Sequence, residues 1–429
     1  MIELEQLIAQ LEQSQWWTSD QFKVLQEQNL SPLIKHHAKN SSHFSMRLAA
    51  QGLTPNSVLT IKGLQRLKPF GKREIQAAGG NFAAKVIPQN HLPLGEAQTS
   101  GSTGQPVKLP KGRLTTLYWN AHVVRDHQWW GREYTGKLAS IRAGFNEYME
   151  ADTWGGPVPV LYGSGPAIAL PVAMAIDKQL EHLEQFQPNI MIVHAGVLTG
   201  FVSEWERKGF TLPELKHVKN VGETVHDSLR ERLRAVSGLE IEDNYSCSEV
   251  GSIAIQCPTS GLFHIMHENL IVEIINADGT PTGVGEIGRV VITDLYNSAA
   301  PMIRYDIGDH AEVGPECTCG RHGTTLKRIM GRDRGLFTRA DGSRFWPQAN
   351  QYKMSKYVKL LQWQIIQHAV DDVEYKMVVE TAPTAEQKAA MEQVLGDAMG
   401  FPEQVRVTVF EGSIPTPNGK YEETICLIK

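Results

Sequence analysis

Cysteine is scarce in this chain, five in 429 residues. That is too few for a disulfide framework, and the usage implies a reducing, cytoplasmic compartment. Positive charge is scarce as well. Lys and Arg number 42 against 47 Asp and Glu, a net charge of −5, so the basic surplus behind phosphate-backbone binding is missing and no nucleic-acid partner is expected. The opening Met1-Ile2-Glu3-Leu4-Glu5 is acidic where a secretory leader would be basic. The longest charge-free run, Thr153 to Ile176, has the length of a bilayer span but holds Pro157, Pro159, Pro166, Pro171 and four glycines. It reads as buried strand, turn and helix, and no membrane span is expected. Internal repeats and low-complexity segments are also lacking. What remains, 41% hydrophobic and 21% charged side chains, is the composition of a globular protein of two or three domains.

The first 90 or so residues carry helical apolar spacing at Ile2, Leu4, Leu7, Ile8 and Leu11, and again around Phe44, Leu48 and Leu53. Pro32, Pro55 and Pro69 are expected to divide them into short helices. From Pro93 to about Pro301, β-branched runs such as Ile190-Met191-Ile192-Val193 alternate with helical stretches such as Gly200 to Lys208. That alternation predicts a layered α/β domain. Residues 270 to 313 are strand-rich around a turn at Asp278-Gly279, predicting an antiparallel sheet or small barrel. After Gly331 the pattern becomes β-β-α-β. Val373, Tyr375, Met377 and Val379 alternate, Thr384 to Gln387 forms a capping box, Met391, Val394, Leu395, Ala398 and Met399 share a helical face, and Val405, Val407 and Val409 alternate again.

Chemistry concentrates in a few motifs. Thr99-Ser100-Gly101-Ser102-Thr103-Gly104-Gln105-Pro106-Val107 is rich in hydroxyls and glycine, a composition that lets backbone N–H groups and side-chain donors converge on an anion. No Gly-Lys-Ser/Thr closes it, so it is not a Walker A loop. Downstream come Tyr245-Ser246-Cys247-Ser248-Glu249, Arg304-Tyr305-Asp306-Ile307-Gly308-Asp309, Gly331-Arg332-Asp333 and Pro417-Asn418-Gly419-Lys420. Taken singly, Tyr245 would be a core aromatic, Asp309 a turn residue and Lys420 a solvated lysine.

In order and spacing these motifs resemble the AMP-forming adenylating superfamily of acyl-CoA synthetases and carrier-protein adenylation domains, and within it the phenylacetate-CoA ligases. Leu53-Thr54-Pro55 and Leu67-Lys68-Pro69-Phe70-Gly71-Lys72 are similar to that family's lead-in. The resemblance implies an α/β fold with a large, multi-subdomain adenylation domain over 1–331, including a β-rich part near 265–330, and a small α+β lid over 332–429. It implies a ligase that uses ATP and Mg²⁺ to activate a carboxylic acid and passes the acyl group to CoA.

By the same resemblance, Ser100, Gly101, Ser102, Thr103 and Gly104 would hold phosphates. Tyr245 would stack on adenine beside Asn244 and Glu223, and Asp309 would accept from the ribose, with Arg332 nearby. Glu249, following Ser248, would bind Mg²⁺, an ion that takes oxygen ligands. Lys420 would contact the substrate carboxylate and the α-phosphate. The acid pocket would involve Phe145, Tyr162, His194 and Gly222. Aromatic residues are dense from Tyr118 to Trp154, with Trp119, Trp129, Trp130 and Tyr148 among them, which suits an aromatic or unsaturated acid. Arg334 stands where the superfamily places its hinge residue, unless Asp333 serves. That departure keeps open an amine, a carrier protein or another nucleophile as acyl acceptor; a separate alternative, a nucleotide-binding regulator without catalysis, has the presence of Glu249 and Lys420 against it.

Cys317-Thr318-Cys319 with Cys257 and His264 is a separate group. Thiols one residue apart in a reducing compartment favour a metal, and thiolate with imidazole favours Zn²⁺. Some relatives of the family carry a similar set that binds structural zinc, while His267 and His322 are rival fourth ligands. Cys247 and Cys426 read as packing residues. The oligomeric state is not legible.

Overall fold

The computed structural model describes residues 3–98, 107–225, 227–332, 335–345, 347, 354, 356–400, 405–412, 414 and 423–428. The lead-in is helical over Leu4–Ser14, Ser19–Asn40 and Ser42–Ala50. The second helix starts at a capping box in which the Thr18 N–H donates to Gln21 Oε1 at 2.9 Å and the Gln21 N–H returns a bond to Thr18 Oγ1. Pro32 lies inside this helix and does not divide it. Leu30, Leu33 and Ile34 are buried against Ile271, Leu295 and Ile303, and that packing holds the helix through the turn where proline removes a backbone donor.

Two large sheets, with a short pair Gly95–Gln98 and Lys108–Lys111 beside them, make the body among the described residues. The first is mostly parallel and, among the described residues, six-stranded. Its order is Met149–Ala151, Ala167–Leu170, Leu138–Ile141, Ile190–Val193, His217–Asn220, Ile241–Glu242, and only the first pair is antiparallel. Helices Ile176–Phe186, Ala195–Lys208 and Asp227–Ser237 alternate with its strands, so the central strands are largely buried and, Ser140 apart, apolar. Their carboxyl ends release Arg142, His194, Val221 and Asp243 at one edge, the edge at which open α/β sheets bind ligands.

The second sheet is antiparallel and, among the described residues, seven-stranded, in the order Leu270–Ile275, Ile287–Asp294, Tyr305–Val313, Thr325–Arg332, Phe263–Ile265, Gly251–Gln256, Asn244–Cys247. It is larger than the span near 265–330 predicts, because the strand bearing Asn244 and Tyr245 belongs to it. A third sheet has the order Val405–Val409, Asp372–Val379, Leu360–Ala369, Thr424–Cys426. The helix Ala385–Met399 covers it, capped by Thr384 and Gln387, and Met391, Leu395 and Met399 face its core. This is the expected β-β-α-β unit with one additional strand, Thr424–Cys426, parallel to Leu360–Ala369. Among the described residues no helix is long and apolar enough to cross a membrane.

Candidate active site

A cleft of about 1560 Å³ runs between the carboxyl edge of the parallel sheet, the strand Asn244–Cys247 and the strand Leu360–Ala369. It exceeds the ~300–1,000 Å³ of an ordinary small-molecule site. The helix Arg113–Trp129 presents Trp119, Val123 and His127 to it, with Trp130 following. That spacing is one stripe of a helix. Across the cleft, Arg232 pairs with Glu206 through Nε at 2.9 Å and Nη2 at 2.7 Å, and its Nη1 donates to the Leu361 carbonyl at 3.2 Å.

Asp309 and Arg332 are register partners in neighbouring strands. Arg332 Nε lies 2.9 Å from Asp309 Oδ1, and the Tyr245 hydroxyl donates to Asp309 Oδ2 at 2.9 Å. Burial, and after it the Asp309 carboxylate, holds the Tyr245 hydroxyl well above the usual phenol range. Asn244 lines the same wall, and its buried Oδ1 has no hydrogen-bond partner among the described residues, an acceptor whose desolvation is uncompensated until a donor arrives. Glu223 Oε2 accepts from the Gly196 N–H at 2.8 Å, placing a carboxylate at the amino end of the helix Ala195–Lys208, where backbone donors are unsatisfied.

Glu249 is buried at the cleft, and the Tyr305 hydroxyl points at its Oε1 from 3.4 Å. Beside it, Lys111 donates to the Ser248 carbonyl at 3.1 Å, with its ammonium 4.0 Å from the centre of the Trp119 ring. Burial lowers the Lys111 pKa, opposed by Asp294, Cys247 and Glu249. Asp294 is itself pushed up to about 6 by burial. Lys111 lies outside every motif of the sequence. Its signal is alternation, since Leu109 and Lys111 share the buried side of the strand Lys108–Lys111.

His194 spends both ring nitrogens on the backbone. Nδ1 donates to the Val221 carbonyl at 2.6 Å and Nε2 accepts from the Ala143 N–H at 3.1 Å, which fixes the Nδ1–H tautomer. Gly222 has φ +69, and a Cβ there would come within 3.4 Å of His194 Cε1, so glycine suits the turn. His194 and Gly222 line the cleft; Phe145 and Tyr162 are not among its lining residues. Tyr162 is 48% exposed and stacks on Tyr134, and Phe145 lies under the Arg142 guanidinium. Of the other aromatics, Trp119 and Trp130 face the cleft, while Tyr118 stacks on Tyr296, Trp129 packs against His264 and Tyr148 stacks on His182. Cys247 packs against the core of the antiparallel sheet, as expected, and lines the cleft as well, while Cys426 packs against the core of the third sheet. Ser100, Gly101, Ser102, Thr103, Gly104, Asp333, Arg334 and Lys420 lie outside the described residues.

The ligand atoms of Cys257, His264, Cys317 and Cys319 all fall within 4.8 Å of one another. Cys257 and Cys317 sulfurs are 3.8 Å apart and Cys319 Sγ is 3.3 Å from His264 Nε2. A tetrahedron with Zn–S near 2.3 Å has sulfur pairs about 3.8 Å apart, so the donor set fits that ion in size and chemistry. Of the rival ligands, His267 packs on Phe22 and His322 pairs with Glu316.

No family model matches the chain. Over 327 residues it is 23% identical to the phenylacetate-coenzyme A ligase of Thermus thermophilus, covering 73% of this chain and 71% of that one. Over 323 residues it is 25% identical to the phenylacetate-coenzyme A ligase of Escherichia coli, with the same shares. Its fold matches 2-hydroxyisobutyryl-CoA ligase in the postadenylation state with R3-HIB-AMP, at a TM-score of 0.74 and 16% identity over 95% of this chain and 90% of that one. Against the same ligase with 2-HIB-AMP and CoA in the thioesterification state the TM-score is 0.60, at 18% identity over 95% and 90%. In sequence the chain is similar to phenylacetate-CoA ligases, and its fold is that of an acyl-CoA ligase caught with its acyl-adenylate.

Proposed function

We propose that this chain is an AMP-forming acid–CoA ligase. A carboxylate oxygen attacks the α-phosphorus of ATP, the bond from that phosphorus to the bridging oxygen breaks, and pyrophosphate leaves. The CoA thiolate then attacks the acyl carbon and AMP departs. The reading rests on one observation above others: Asn244, Tyr245, Glu249, Asp309 and Arg332, drawn from three separate motifs, line a single cleft.

In this reading Asn244 and Glu223 flank the adenine, with the Asn244 Oδ1 taking the exocyclic amine, and Tyr245 stacks on the base. Asp309, held from one side by Tyr245 and from the other by Arg332, still has lone pairs for the ribose hydroxyls, since a carboxylate offers about four acceptor sites. Glu249 would hold Mg²⁺, which supplies charge neutralisation at the phosphates. Ser248 orients that carboxylate through a main chain anchored by Lys111. The segment Ser100 to Gly104 would cradle the outer phosphates, and Lys420 would bridge the substrate carboxylate and the α-phosphate, where negative charge grows. Cys257, His264, Cys317 and Cys319 would close around Zn²⁺ with no open position, a folding role. The body would run to Gly331 and the lid from Arg332, with residues 333 and 334 as the hinge. We place the enzyme in the cytoplasm.

A panel of carboxylic acids read by acid-dependent pyrophosphate exchange tests the first half-reaction. AMP release with CoA, with amines and with no acceptor tests the second. Exchange without CoA stimulation would transfer the assignment to another acceptor, and no exchange with any acid would favour a nucleotide-binding regulator.

A further inference from the structure

The described cations around the cleft are almost all neutralised by the protein itself. Lys219 is paired with Asp126, Arg230 with Asp243, Arg232 with Glu206, and Arg234 with Glu240. Lys327 and Arg328 share Glu312, Arg332 has Asp309, and Lys359 has Glu380. Arg142 is the exception. It lines the cleft as a solvent-exposed side chain, and among the described residues its guanidinium meets only the face of Phe145, 5.5 Å to the ring centre. Partial desolvation lowers its pKa, and no acidic group opposes that shift.

Its position makes the missing partner informative. Arg142 is the first residue after the central strand Leu138–Ile141, so it stands at the same carboxyl edge as His194, which follows Ile190–Val193, and Gly222, just beyond His217–Asn220. The Ala143 N–H is tied to His194 Nε2 at 3.1 Å, which fixes the backbone from which the guanidinium projects. His194 has no ring nitrogen left for a ligand, and Arg142 is the cation at this end of the cleft with no acidic partner among the described residues. An arginine fork with its donors unspent matches a carboxylate in two parallel bonds.

We infer that the acid activated here carries a second anionic group, a distal carboxylate, and that Arg142 is the residue that selects it. The inference deepens the ligase reading and rests on it. The wild-type enzyme is compared on length-matched pairs, a dicarboxylic acid and its half-methyl ester, by pyrophosphate exchange and by acid-dependent AMP release with CoA. The diacid is expected to lead, and Arg142→Gln to lower the diacid to half-ester ratio of kcat/KM by about 10- to 100-fold, the worth of a charged hydrogen-bonded contact. Arg142→Lys should keep part of the preference. Half-esters favoured by the wild-type enzyme would overturn the inference while leaving the ligase intact. So would a rise in the KM for CoA with an unchanged acid ratio in Arg142→Gln, which would assign the guanidinium to a CoA phosphate. No exchange with any acid would overturn the ligase reading, and this inference with it.

Discussion

Arg332 closes on Asp309 from the neighbouring strand, Nε to Oδ1 2.9 Å, while Tyr245 closes on the other carboxylate oxygen at 2.9 Å. The carboxylate is therefore aimed before any ligand arrives. Removing it should cost nucleotide affinity more than fold. Asp309→Ala is expected to weaken ATP binding by about 10- to 100-fold, the range for hydrogen bonds to a charged group. Calorimetric titration with ATP checks this, and an unchanged affinity would remove Asp309 from the nucleotide site.

Lys420 carries the proposed chemistry of the first step. Lys420→Ala should reduce acid-dependent pyrophosphate exchange by about 10²- to 10³-fold, the usual loss for a donor aimed at developing charge, while ATP still binds. Exchange at the wild-type rate would refute the role.

A buried ion pair gives the fold a pH signature. Glu268 accepts from Arg125 Nη2 at 2.8 Å and from Ser14 Oγ at 2.7 Å. Burial alone would raise its pKa, but Arg125 and Ser14 override burial and hold it at about 2, below the ordinary 4.5. The folded value lies below the unfolded one, so this contribution is complete above about pH 4.5 and is lost as pH falls towards 2. Arg125→Met, which strands the carboxylate, should cost about 3–5 kcal/mol at neutral pH. That penalty should shrink in acid, where a lone buried Glu268 is protonated. Urea unfolding at pH 7 and at pH 4 measures both, and a penalty independent of pH would mean that the charge of Glu268 is not what Arg125 offsets.

The thiolate cluster predicts a metal content. Protein purified without chelator should contain zinc, Cys317→Ser should lose it and melt at lower temperature, and Cys247→Ser should keep it. Metal analysis and thermal melts read this directly. A zinc-free wild-type protein would leave four converging ligands without their ion.

The parts of the molecule legible in the sequence were those whose signal is local. The capping box at Thr384, the face of Met391, Leu395 and Met399, and the alternation of strand and helix through the body are periodicities of the chain, and the fold reproduces them. The Tyr245, Glu249 and Asp309 motifs were legible through resemblance, and the fold brings all three to one cleft. What escaped depends on packing between distant segments. Pro32 signals a break, yet buried Leu30 and Ile34 carry the helix through it. Tyr162 and Phe145 are aromatic enough for a pocket, but their rings turn to Tyr134 and Arg142. Thr424–Cys426 is too short to show alternation and exists as a strand through its pairing with Leu360–Ala369. Lys111 looks solvated until the Trp119 ring and the Ser248 carbonyl are placed beside it.

The contact between Arg232 and Leu361 has an evolutionary side. Arg232 is gripped by Glu206 and Ser203 within the body, and what it reaches across the cleft is a main-chain carbonyl. Every amino acid supplies that acceptor. Position 361 can therefore drift in sequence without loss of this bond, whereas Arg232 and its two supports cannot. Selection on the crossing should fall on one partner alone.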